Sequence, residues 1–139
     1  MPLKAYKNMN AYKLFVLDVG LLRAMSELPA ESILEGNDIF VEFKGALTEQ
    51  YVLQQLISDT PYTPYYYGNE KVTFEQDFLI QKAKSIVPIE VKAEQNIRSH
   101  SLKTYCEKFQ PEEAVRFSTS KYKEQEWMVN IPLYAVCNL

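Results

Sequence analysis

The sequence has few of the residues that most readily report chemistry or compartment. It contains two cysteines and one histidine, and no apolar run approaches the ~18 residues that a membrane-spanning helix needs. Cys106 and Cys137 stand far apart and in no metal-ligand spacing. They read as small buried hydrophobes in a reducing cytoplasm rather than as a disulfide. The opening PLKAYKNMNAYK holds no apolar stretch of the kind found in a signal peptide. A soluble, cytoplasmic chain without membrane association is therefore expected. No GxxxxGK[ST] phosphate loop occurs, so no nucleotide site is expected within these residues. A net charge of −3 is not the mark of a constitutive nucleic-acid binder.

What is present suffices for one domain. With 139 residues, 47% of them apolar and 13% aromatic, the chain can bury a proper core and is not of the disordered class. Its charge is unevenly placed. Residues 1–80 hold 6 Lys/Arg against 11 Asp/Glu, and residues 81–123 hold 9 against 5. A basic second half beside acidic residues is the arrangement expected of a cationic rim around an acidic pocket. For Lys82, Lys84, Lys121 and Lys123 taken singly, the plainer reading is a solvated turn.

Taken in order, Lys13–Asp18 reads as a short apolar strand, with Asp18 capping a helix that ends near Leu28-Pro29. Pro29–Asn37 is a linker. A long helix follows from Asp38 to about Ser58, in which Ala46, Val52, Leu53 and Leu56 form a stripe that also contains Glu49. A glutamate on such a stripe is paired, neutral, metal-bound or placed at an edge from which it reaches water. The prolines of DTPYTP end the helix, and Tyr65–Gly68 reads as the first strand of a sheet. The tyrosines there are expected to pack a sheet rather than to stack bases.

The stretch Val72–Lys92, VTFEQDFLIQKAKSIVPIEVK, carries the strongest pattern. Two apolar runs flank a polar connection at Gln81–Ser85 and predict a hairpin. Alternation sets Phe74, Gln76, Phe78 and Ile80 on one face of the first run, and Glu75, Asp77 and Leu79 on the other. In the second run Glu90 and Lys92 share the face opposite Val87, Ile89 and Val91. Asp77, Glu90 and Lys92 are thus expected to converge. Beyond them, Ser99–Phe109 reads as a helix with Leu102, Tyr105, Cys106 and Phe109 buried and Ser99 or Ser101 as its cap. Arg98 and His100 at its entrance are candidate phosphate contacts. Ala114–Ser118 and Ile131–Cys137 read as strands, with Ser120–Glu126 as a polar connection between them.

An Asp, a strand turn and then Glu-x-Lys on the next strand resembles the PD-(D/E)xK nuclease motif. FEQDFLI, VPIEVKAEQNIRSHSLKTY, NIPLYAV, KLFVLDVGLL and ALTEQYVLQQL together resemble the DUF4143 domain at the C-terminus of prokaryotic AAA-type ATPases. The resemblance spans about Lys13 to Leu139. It implies an α/β fold with a restriction-endonuclease-like core: helix, three-stranded hairpin sheet, helix, strand. Residues 36–139 would form this domain. Residues 1–35 would be a strand–helix extension, a remnant of a preceding winged-helix region, and the chain would be a fragment of a longer protein. The partner implied is the ATPase region of the same full-length chain, with nucleic acid as a substrate. The catalytic residues implied are Asp77, Glu90 and Lys92, with Glu49 joining from the first helix. Mg²⁺ or Mn²⁺ would be held weakly by Asp77, Glu90 and the backbone carbonyl of Val91. Glu75 would be a further ligand or an outer partner. Three readings compete: a metal-dependent nuclease, a nuclease fold that no longer cuts and serves as an interaction or regulatory module for the ATPase, and a set of surface ion pairs with no site at all.

Overall fold

A computed structural model describes the chain apart from residues 1, 30, 32–37, 69–73 and 94–98. Among the described residues the helices are α1 (Val19–Met25), α2 (Asp38–Asp59) and α3 (His100–Phe109). The strands are β1 (Tyr65–Tyr67), β2 (Gln76–Lys82), β3 (Ser85–Lys92), β4 (Val115–Ser118), β5 (Lys123–Glu124) and β6 (Val129–Pro132). They form one sheet in the order β1-β2-β3-β4-β6-β5. β1, β2 and β3 are antiparallel neighbours, whereas β3, β4 and β6 run parallel, and β5 closes the far edge antiparallel to β6. The change from antiparallel to parallel needs a crossover, and α3 lies in it. The architecture is mixed α/β, with helix, three strands, helix and strand in the expected order.

The hairpin forms where the sequence places it. Lys82 pairs with Ser85 across the two-residue loop Ala83-Lys84, and Ala83 takes φ 53°, as tight hairpin turns require. Alternation then separates two packing layers. Phe78 and Ile80 lie opposite Ile89 and Val87, and with Val115 and Phe117 they bury Val52 and Leu56 of α2. On the other face Leu79 and Ile86 meet Phe74, Tyr65, Tyr67 and Tyr105. Phe74 was expected beside Phe78, but the strand begins only at Gln76, so the period-2 alternation does not extend back to it. Tyr67 packs edge-on against Tyr105 and Phe109, which gives the tyrosine strand the packing role expected of it.

Local chemistry sets the helix ends. The Asp18 carboxylate accepts the Leu21 N–H at 2.8 Å and starts α1, which ends at Met25, before Leu28-Pro29. Thr60 donates to the Leu56 carbonyl at the close of α2, and Pro61 follows. Gln110, at φ 47°, donates to the Cys106 carbonyl and ends α3 one residue before Pro111.

Several expectations are corrected. Lys13–Asp18 is not a strand and joins no sheet. Instead the buried Gln50 side chain brackets Val16, accepting its N–H at 3.1 Å and donating to its carbonyl at 2.9 Å. Gln54 likewise accepts the Val19 N–H, so this segment is tied to α2 by glutamines rather than by a strand ladder. Ala46 is exposed, and Leu47 and Gln50 occupy the buried side with Val52 and Leu56. Ile131–Cys137 is not one strand. β6 stops at Pro132, and Leu133–Asn138 turns as a 3₁₀ helix that buries Val136 in the α2-side core. Cys137 is consequently exposed, while Cys106 is partly buried and both thiols are free. The polar connection 120–126 contains the short edge strand β5. Pro29–Asn37 falls largely outside the described residues.

Candidate functional site

At the start of β2 the side chains take over from the ladder. The registered β2–β3 pairs end at Phe78↔Ile89. One and two residues further out, Asp77 Oδ2 accepts the Val91 N–H at 2.8 Å and Gln76 Nε2 donates to the Ile89 carbonyl at 2.8 Å. The strands part here, and the Asp77 carboxylate stands where a backbone carbonyl of the neighbouring strand would otherwise sit. Its environment is crowded with charge. Burial pushes the Asp77 carboxyl up to about 6; the Val91 N–H and Lys13 oppose this, and the carboxylates of Glu49 and Glu90 add to it.

Glu90 and Lys92 lie on one face of β3, two residues apart, with Lys92 Nζ 3.0 Å from Glu90 Oε1. Glu90 is only 3% exposed, and its Oε2 is buried with no hydrogen-bond partner among the described residues. A buried carboxylate oxygen left unsatisfied is costly and marks a place where a ligand would be favourable.

The sequence reading did not single out the buried polar row beside it. Glu90, Arg116 and Asn130 are register neighbours across β3, β4 and β6. Arg116 is 2% exposed, donating through Nε to Asn130 Oδ1 at 2.8 Å and through Nη1 to Ser99 Oγ at 3.2 Å. Ser118 also donates to Asn130 Oδ1, and Asn130 Nδ2 returns to the carbonyls of Ser120 and Lys121. Burial pulls the Arg116 guanidinium downward from its ordinary value, and the Glu90 carboxylate holds it up. Ser99 stands at the N-cap of α3, but its hydroxyl makes no capping bond there. The signal was available: in Val115–Ser118, Arg116 and Ser118 alternate with two apolar residues, the same period that sets Glu90 and Lys92 apart.

The remaining candidates scatter. Glu49 is tied to Lys13 at 2.7 Å, with about a quarter of each side chain exposed, so it stands at an edge and influences Asp77 through its charge. Glu75 is exposed and lies against Gly68, where an added Cβ would come within 3.0 Å of its Cγ. His100 is exposed at the first turn of α3, and Arg98 lies outside the described residues. Lys82 and Lys84 lie at the hairpin end of β3, opposite Lys92, and Lys82 pairs with Glu113. They do not rim the Asp77 corner. Among the described residues no group of three or more His, Cys, Asp or Glu side chains is placed to hold a metal ion. Glu49, Asp77 and Glu90 therefore do not form one coordination sphere.

A family model described as "Domain of unknown function (DUF4143)" matches residues 44–135, about two thirds of the chain. The chain belongs to the DUF4143 family. The match takes in Glu49, Asp77, Glu90, Lys92, Arg116 and Asn130 together. No curated protein and no solved structure matches the chain. No described helix is long and apolar enough to cross a membrane.

Proposed function

We propose that the Asp77–Glu90–Lys92 corner of this DUF4143 domain is a divalent-cation-dependent site for hydrolysing phosphodiesters of nucleic acid, used together with an ATPase region of the full-length protein. The observation that carries the reading is the buried Oε2 of Glu90, unpartnered among the described residues and one residue before Val91, whose N–H the Asp77 carboxylate accepts. Mg²⁺ and Mn²⁺ bind through one or two carboxylates and keep several waters, so Asp77, Glu90 and the Val91 carbonyl would hold such an ion without needing a third acid. When bound, the ion supplies Lewis acidity and an acidified water.

The chain's own contributions follow from placement. Asp77, with its carboxyl at about 6, is ionised at neutral pH and available as a ligand. Lys92, held beside Glu90, orients the attacking water and offsets charge that builds on the phosphate in the transition state. Arg116 balances Glu90 from the neighbouring strand.

A second reading, a nuclease fold that no longer cuts and acts as a module for the ATPase, is favoured by one feature. Glu49 and Glu90 each already hold an ammonium partner, and these pairs need no metal. Nicking of plasmid and single-stranded DNA with Mn²⁺ at low salt separates the two, using this chain and the full-length protein in parallel. Lys92→Ala should keep metal binding and lose cleavage by about two or three powers of ten. Asp77→Ala should lose both. No metal-dependent nicking by the wild type would select the inactive module. Equal cleavage by wild type and Lys92→Ala would reveal a contaminant and defeat the catalytic reading.

A further inference from the structure

A pocket of about 590 Å³ opens outside the carboxyl ends of the parallel strands β4 and β6. Their last residues, Ser118 and Pro132, are register neighbours, and both line it with Thr119 and Tyr134 just beyond them. Open α/β sheets take their ligands in the crevice at this end of the strands. The opposite wall comes from α1 and α2, which contribute Arg23 and Lys44. Both cations are half-buried, and neither has an ion-pair partner among the described residues. No described Asp or Glu lines the pocket. Asp18 stands behind the lining Gly20, but its Oδ1 already accepts the Leu21 N–H. Leu47 and Leu133 form an apolar floor, and Tyr134 is 82% exposed, so the core does not use its ring.

We propose that this pocket binds a small organic phosphomonoester, its phosphate at Arg23 and Lys44 and its flat apolar body against Leu133 and Tyr134. Two like charges on one wall, with no counter-charge, attract an anion. A phosphomonoester carries a charge of about −1.5 to −2 at neutral pH, which matches two cations. Arg and Lys both bind phosphate, and the exposed Thr119 hydroxyl adds a neutral donor. Inorganic phosphate would leave the apolar floor unused, and an apolar peptide would leave the cations unmatched. A nucleoside monophosphate and the phosphorylated end of a nucleic-acid strand both present a flat ring beside such a phosphate. The inference stands without the hydrolytic reading, since Asp77, Glu90 and Lys92 do not line the pocket. Ser118 is nevertheless the register neighbour of Lys92, so the two places lie one strand apart.

The test is titration calorimetry of the chain with thymidine monophosphate, in EDTA and at low salt. The nucleotide should bind, with thymidine and inorganic phosphate each at least roughly tenfold weaker. Arg23→Gln and Lys44→Gln should each weaken it roughly tenfold, because each removes a charge-assisted contact. Arg23→Lys, which keeps the charge, should keep most of the affinity. Tyr134→Ala should weaken binding roughly tenfold, and Tyr134→Phe should not. Without ligand these variants should unfold at the wild-type temperature, since none of the three side chains makes a hydrogen bond or ion pair among the described residues. A terminally phosphorylated oligothymidine separates the two sources. Tighter binding than the mononucleotide marks a strand end, and weaker binding marks a free nucleotide; either result sustains the pocket. No binding of thymidine monophosphate, or binding unmoved by Arg23→Gln and Lys44→Gln, would overturn the proposal. So would inorganic phosphate binding as tightly as the nucleotide, the mark of a bare anion site. A dimer in sedimentation that Lys44→Gln dissociates would also overturn it, by placing a second copy in the pocket.

Discussion

On the α2 face of the sheet Val87, Ile89, Val115 and Phe117 are fully buried among Val52, Leu56, Phe78 and Ile80. One residue along the same strands, on the α3 face, stand Glu90, Lys92, Arg116 and Ser118. Both faces exclude water from much of their surface, but by different means. Apolar burial accounts for the first, at about 25 cal/mol per Å². The second holds a glutamate and an arginine at 3% and 2% exposure, and burying charged groups costs a fold stability unless each is well paired and hydrogen-bonded. The first face is apolar throughout, whereas the second combines an apolar cluster around Leu79, Phe74 and Tyr105 with polar groups whose presence stability does not explain.

Breaking the polar face from one side should show the largest effect. Arg116→Met is expected to cost about 3–5 kcal/mol in urea unfolding, because Asn130 and Ser99 lose a charged donor and Glu90 keeps its buried charge with less compensation. Adding Glu90→Gln should return much of that loss. If the double variant is no more stable than Arg116→Met, the two residues are not coupled and the row is ordinary packing. On the apolar face the corresponding cut, Ile89→Ala, should cost about 2–5 kcal/mol, with no partner substitution able to restore it. Recovery there on a second polar change would blur the distinction between the faces.

The hairpin and the Glu90–Lys92 face were legible because period-2 alternation over eight residues of β3 leaves little freedom of assignment. Asp77 could be placed on β2, but not its role at the parting of the strands, which depends on where backbone pairing with β3 stops. The Arg116–Asn130 row was harder, since it requires β4 and β6 to be parallel neighbours in one register, and nothing local in either strand states that. Leu133–Asn138 misled for a related reason. A short apolar run has no period that separates a strand from a turn packed on a helix, and here Val136 turns back onto α2. Lys13–Asp18 has the composition of a strand, yet its partners are the side chains of Gln50 and Gln54 in a helix. Glutamines that bracket a distant backbone carry no sequence signature.

A smaller effect sharpens the comparison through pH. The folded Asp77 carboxyl, at about 6 against an ordinary 3.8, binds its proton more tightly than the unfolded chain does. Stability from this group is therefore highest at low pH, falls as pH rises between about 4 and 6, and is fully lost above. The groups facing it are Glu49, Glu90 and Lys13, with the Val91 N–H. Asp77→Asn keeps an acceptor for Val91 and removes the charge, so it should stabilise the metal-free protein by roughly 1–2 kcal/mol above pH 6. The gain should disappear below about pH 4. A gain that is the same at both pH values would mean that the Asp77 charge is not the cause.

The most direct test of a metal-assisted site at Asp77 and Glu90 is thermal unfolding with millimolar Mn²⁺ at a pH above 6, where Asp77 is ionised. A cation bound only by the folded chain raises the Tm by mass action, and about 1 kcal/mol of linkage amounts to a few degrees in a chain of this size. The account predicts that rise in the wild type and in Lys92→Ala, and its loss in Asp77→Asn. An unchanged wild-type Tm, or an equal rise in Asp77→Asn, would contradict it.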